Sequence, residues 1–150
     1  GGVLLGSDAT QDGHRLAALP TRDAMLPILC ALAGAARARR PLSALASDMK
    51  FAVALSNRLQ NVPQDKTAAF IARLDSDDPS FRDAAFATHG GVAARDRRDG
   101  LRLTLGAGAP AQVRASGNAP ELRVYVEAPT QGAAEALLAE ALDLARRATA

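Results

Sequence analysis

The chain is short of aromatics and nearly without cysteine: its 150 residues include no tryptophan, one tyrosine, four phenylalanines and a single cysteine, Cys30. One thiol excludes an internal disulfide and fits a reducing, cytoplasmic compartment. No apolar run reaches the roughly 20 residues of a membrane-spanning helix, and no charged-then-apolar leader opens the sequence, so no membrane partner is expected. Charge of one sign is also missing, with 18 Lys and Arg against 16 Asp and Glu for a net +2. Arg37, Arg39 and Arg40 cluster, and Arg95-Asp96-Arg97-Arg98-Asp99 is a mixed run. Neither interleaves with aromatics as a single-strand binding surface does, so both read as solvated charge and no nucleic-acid partner is expected.

Familiar catalytic and metal patterns are lacking too. Two histidines and one cysteine are too few for a zinc site. Asp75, Asp77 and Asp78 lack the glycine and closing glutamate of a calcium loop and read as an acidic helix end. There is no Gly-x4-Gly-Lys phosphate loop and no Gly-x-Ser-x-Gly turn. His14 reads as exposed and inert, His89 as part of a turn, and Cys30 as a small packing residue of a helix.

Aliphatic residues and alanine are what remain, within a hydrophobic fraction of 48%. That is enough for one domain with a real core and a fragment of a second. Gly1-Gly2 runs straight into Val3-Leu4-Leu5 without a cap or turn, which suggests the C-terminal piece of a longer protein. Val3–Leu5 reads as the end of a buried strand and 6–13 as a polar loop. Thr21 reads as the N-cap of a helix carrying Met25, Leu26, Leu29, Leu32 and Ala36 at helical spacing. Pro41 breaks it, and the domain boundary falls in the connector that follows, giving units 1–46 and 47–150.

From Met49 to Leu55 the alternation reads as a strand, 57–63 as a loop, and Thr67, Phe70, Ile71 and Leu74 as one helix face. Four strands follow, near 92–97, 101–105, 111–115 and 122–126, with Asp99-Gly100 as a strong hairpin signal. Thr130 caps a final helix with Leu137, Leu138, Ala141, Leu142 and Ala145 on one face. The order β-α-β-β-β-β-α is that of an α+β domain. It implies a four- to five-stranded, mainly antiparallel sheet packed by helices, preceded by a strand-loop-helix remnant of an α/β domain.

One loop offers ligand chemistry. Arg114-Ala115-Ser116-Gly117-Asn118 brings together a guanidinium fork, a hydroxyl, a glycine and an amide between two alternating strands. Such a loop can aim paired donors and backbone N–H groups at one compact anion. Ser-Gly-Asn is also ordinary hairpin chemistry, and the residues alone leave both readings open.

The run Arg114-Ala115-Ser116-Gly117-Asn118-Ala119-Pro120-Glu121-Leu122-Arg123-Val124-Tyr125-Val126-Glu127 resembles the C-terminal signature of the α-D-phosphohexomutase family, and Asp99-Gly100-Leu101-Arg102-Leu103 resembles the strand just upstream. Gly1–Asp8, Leu19–Ala24 and Arg58–Pro63 resemble the close of the third domain and the start of the fourth in bacterial phosphomannomutases. The resemblance implies a fourth domain with a sheet like that of the TATA-box-binding protein. It also implies interconversion of hexose 6-phosphate and hexose 1-phosphate through a phosphoserine and a bisphosphate intermediate, with Mg2+ held outside this chain and no cofactor within it.

By position the resemblance makes Arg114, Ser116, Gly117 and Asn118 the grip on the non-reacting phosphate, with hexose phosphate and the chain's own upstream domains as partners. Asn118-Ala119 stands where the family commonly has Thr-Glu. No catalytic residue and no metal ligand are expected in the chain, which alone should be inactive. A non-catalytic phosphate- or sugar-phosphate-binding module and a phosphoglucosamine mutase are the alternative readings.

Overall fold

A computed structural model describes residues 2–150 and separates the chain into a unit ending at Phe51 and a unit from Ala52 to Ala150. In the first unit β1 (Val3–Leu5) pairs antiparallel with β4 (Leu19–Asp23), and β2 (Ala9–Gln11) forms a hairpin with β3 (His14–Leu16). Helices α1 (Met25–Ala38) and α2 (Leu42–Asp48) follow. The expected polar loop over 6–13 thus contains β2 and the hairpin turn, where Asp12 and Gly13 take positive φ.

Thr21 is not a cap. It lies in β4, whose ladder with β1 extends the Pro20-Thr21-Arg22 backbone. The helix opens after Asp23, whose carboxylate accepts from the Leu26 N–H at 2.6 Å. Among its described residues the first unit buries none, and α1 exposes Met25, Ile28, Leu29 and Leu32. Cys30 is exposed as well, against the expectation of packing.

The second unit runs β5 (Val53–Gln60), α3 (Gln64–Asp75), α4 (Pro79–Ala85), a 3-10 turn (Ala87–His89), β6 (Val92–Asp96), β7 (Leu101–Leu105), β8 (Pro110–Ala115), β9 (Glu121–Ala128) and α5 (Gln131–Thr149). Its five-stranded sheet has the order β5-β9-β8-β7-β6, antiparallel throughout. This is the expected α+β architecture. Strand β5 starts later and runs further than its alternation suggested, because Val53 to Gln60 pair residue for residue with Ala128 to Glu121 of β9.

Alternation decides which face is buried. Leu122, Val124, Val126 and Ala128 of β9 are buried, as are Ala111 and Val113 of β8 and Leu101, Leu103 and Leu105 of β7. All but Ala128 pack with Phe70 and Leu74 of α3 and with Leu137, Ala141 and Ala145 of α5. The intervening residues, among them Arg58, Arg102, Gln112, Arg114, Arg123 and Tyr125, stay partly or fully exposed on the other face. Thr130 caps α5 as expected, its hydroxyl accepting from the Ala133 N–H at 3.3 Å.

Candidate functional site

Ser116–Pro120 joins β8 to β9 and is pinched at its base. The Ser116 N–H donates to the Glu121 carbonyl at 2.9 Å, and the Glu121 N–H to the Ala119 carbonyl at 2.8 Å. The Val62 N–H donates to the Pro120 carbonyl at 2.9 Å, stitching the loop to the turn after β5. These bonds hold the loop open at its tip. Among the described residues, none accepts from the N–H groups of Gly117, Asn118 or Ala119. Three successive uncommitted N–H groups are the raw material of an anion-binding concavity.

Arg114 is the penultimate residue of β8, on the open face. Its Nη1 donates to both carboxylate oxygens of Asp99 at 3.0 Å, and its guanidinium carbon lies 5.9 Å from the centre of the Tyr125 ring. The hydrogen bond and the charge of Asp99 push the Arg114 pKa up, and a guanidinium is charged at any working pH in any case. Arg114 Nε is buried without a partner. Ser116 is only 4% exposed and its Oγ also lacks a partner, so the hydroxyl is held inward rather than displayed. A buried hydroxyl left without a partner costs about 1–3 kcal/mol. Gly117 and Asn118 are exposed. An added Cβ at Gly117 would meet nothing within 4 Å, so its neighbours do not require glycine there.

Residues not expected from sequence join this end of the sheet. Arg123 of β9 lies opposite both Arg114 of β8 and Arg58 of β5. Arg58 and Arg123, with Ser56, Asn57 and Tyr125, line a shallow depression of about 310 Å³. The Leu-Arg-Val-Tyr alternation already placed Arg123 and Tyr125 on one face. Arg58 was hidden because 57–63 read as a loop.

The other groups of interest have structural partners. Asp75 is engaged by Arg95 and Arg97, and the Arg97 hydrogen bond foremost lowers its pKa. Asp78 caps α4 by accepting from the Ser80 N–H at 2.9 Å. His89 Nε2 lies 2.8 Å from Glu140 Oε2, tying the 3-10 turn to α5. Among the described residues no three His, Cys, Asp or Glu side chains converge as a cation site, and none of the helices is long and apolar enough to cross a membrane.

Residues 50–144 match the family described as phosphoglucomutase/phosphomannomutase, C-terminal domain. A phosphomannomutase of Sinorhizobium fredii is 47% identical over 142 residues, covering 95% of this chain and 30% of the relative. A phosphomannomutase of Salmonella muenchen is 36% identical over 131 residues, covering 87% of this chain and 27% of the relative. The chain therefore spans about a third or less of the length of these curated relatives. With residues 50–144 matching that family and a relative 47% identical over 95% of the chain, the chain belongs to the phosphoglucomutase/phosphomannomutase family and carries the C-terminal domain of that family.

Proposed function

We propose that this chain supplies the distal-phosphate grip of a phosphohexomutase that interconverts hexose 6-phosphate and hexose 1-phosphate. Residues 1–46 would close the third, sugar-binding domain and 47–150 would form the fourth. The observation that carries the reading is the free N–H run of Gly117, Asn118 and Ala119 beside the Arg114 guanidinium. Those donors suit a phosphate that is held but does not react. The guanidinium and amides supply charge-assisted bonds, and the energy of holding a remote group is used to orient the sugar at the reacting end.

In the whole enzyme a phosphoserine outside these residues would donate and recover the phosphoryl group. The Mg2+ would be held by residues outside this chain, as the family resemblance implies; within it, Asp75 and Asp77 are paired with Arg95 and Arg97. Closure of this domain over the bound sugar would exclude water from the transfer.

Titration of the chain with glucose 1,6-bisphosphate, with and without Arg114→Ala, tests the grip. Loss of a charge-assisted contact of about 2 kcal/mol predicts roughly thirtyfold weaker binding. Equal binding by both proteins would remove Arg114 from the site. The same preparation incubated with mannose 6-phosphate is expected to give no hexose 1-phosphate, and detectable turnover would overturn the assignment of the chemistry to residues outside this chain.

A further inference from the structure

Three arginines stand in one row on the open face of the sheet, Arg58 opposite Arg123 and Arg123 opposite Arg114. Strands lie about 4.8 Å apart, so Arg58 and Arg114 begin about 10 Å from one another across β9. Like charges placed directly opposite are unfavourable unless something neutralises them. Among the described residues, two carboxylates meet the three cations. Asp99 takes Arg114 at 3.0 Å, while Glu121 is shared by Arg58 at 3.3 Å and Arg123 at 3.5 Å. One positive charge is left over at the loop end of the sheet.

The two Glu121 contacts are long for charged hydrogen bonds. The Glu121 side chain is 10% exposed whereas that of Arg58 is 53% exposed. The carboxylate is thus sunk in the surface, while the guanidinium it holds is half exposed and held only at a long contact distance. The bond from Val62 N–H to Pro120 O places the turn that follows Arg58 directly against the Ser116–Pro120 loop.

We propose that Arg58 is a further anion-binding residue of this site, leaving Glu121 to grip a phosphoryl group seated at the Arg114 loop. The site would then hold a phosphate dianion from two sides, β8 and β5, with Glu121 as the internal carboxylate that parks Arg58 when no anion is present. This rests on the reading of Arg114–Ala119 as a phosphate loop. The ligand class is a phosphate or phosphate monoester in its doubly charged form.

The test is titration of the chain with inorganic phosphate at pH 8, where the dianion dominates. Arg58→Gln is expected to weaken binding about fivefold while leaving the urea midpoint unchanged. Arg58→Lys should recover part of the loss, because a charge is restored without the fork. Glu121→Gln is expected to tighten binding about twofold, since Arg58 no longer has a competing carboxylate. Wild-type affinity in Arg58→Gln alongside a loss in Arg114→Gln would overturn the proposal and leave the loop reading intact. Wild-type affinity in Arg114→Gln as well would overturn the loop reading itself. Weaker binding in Glu121→Gln would overturn the role of Glu121 as a displaced carboxylate.

Discussion

Replacing Gly100 with alanine puts a methyl group where the sheet has no room for one. Gly100 has φ +73°, and a Cβ there would lie 2.5 Å from the Val113 carbonyl oxygen, 2.9 Å from Arg114 Cβ and 3.1 Å from Arg114 Cα. The left-handed backbone alone costs a non-glycine residue about 1–2 kcal/mol. The clash is with the backbone of β8 rather than the end of a flexible side chain. Relief therefore needs a strand to move, which adds about 1–3 kcal/mol.

Together these predict a loss of about 2–5 kcal/mol. Urea unfolding followed by tyrosine fluorescence measures it cleanly, because Tyr125 is the only tyrosine, there is no tryptophan, and it lies in the unit concerned. Phosphate affinity should fall in the folded variant too, since the atoms displaced belong to Arg114 and the residue before it. Gly117→Ala is the control, expected to stay within about 0.5 kcal/mol of wild type. A Gly100→Ala loss below about 1 kcal/mol would show instead that β8 yields at Arg114 without resistance.

Leu122→Ala removes a side chain that is 0% exposed between the sheet and its helices. It should cost about 2–5 kcal/mol in the same urea assay, and a near-neutral result would contradict the β9 register. The Asp96 carboxyl is lowered from 3.8 to about 2, first by the Arg98 side-chain hydrogen bond and then by the Arg98 backbone N–H. A depressed carboxyl contributes stability above its unfolded pKa that is lost as pH falls through its folded one. Asp96→Asn should therefore flatten the acid-side loss of stability from about pH 4 down to about 2. A carbon-NMR titration midpoint for Asp96 at the ordinary carboxylate value would show that Arg98 does not hold it in solution.

Much of the second unit was legible because its strands bury one face and display the other. Leu101-Arg102-Leu103-Thr104-Leu105 and Leu122-Arg123-Val124-Tyr125-Val126 alternate cleanly, and the structure buries every aliphatic member of both runs. Strand β5 was less legible since it lies at an edge. Of its residues only Leu59 is buried, and Ser56-Asn57-Arg58 resembles a turn in composition. Its pairing with β9, rather than any local preference, extends it to Gln60. Without that pairing Arg58 could not be put beside Arg123. The first unit misled for a related reason: Thr21-Arg22-Asp23 carries helix-start residues, but the ladder with β1 holds the stretch extended and passes the capping role to Asp23.

The position of β9 has a consequence for how the sheet is assembled. Strands β6 to β9 follow one another as a meander, so each can close on its predecessor across a short turn. Strand β5 pairs with β9 alone, Val53 against Ala128 and Gln60 against Glu121. During synthesis its ladder partner emerges only after all the residues between them, so β5 waits without one while the meander forms. Closing so long a loop is entropically expensive and slows folding. Arg58, carried on β5, therefore comes to lie opposite Arg123 only once β5 has paired with β9.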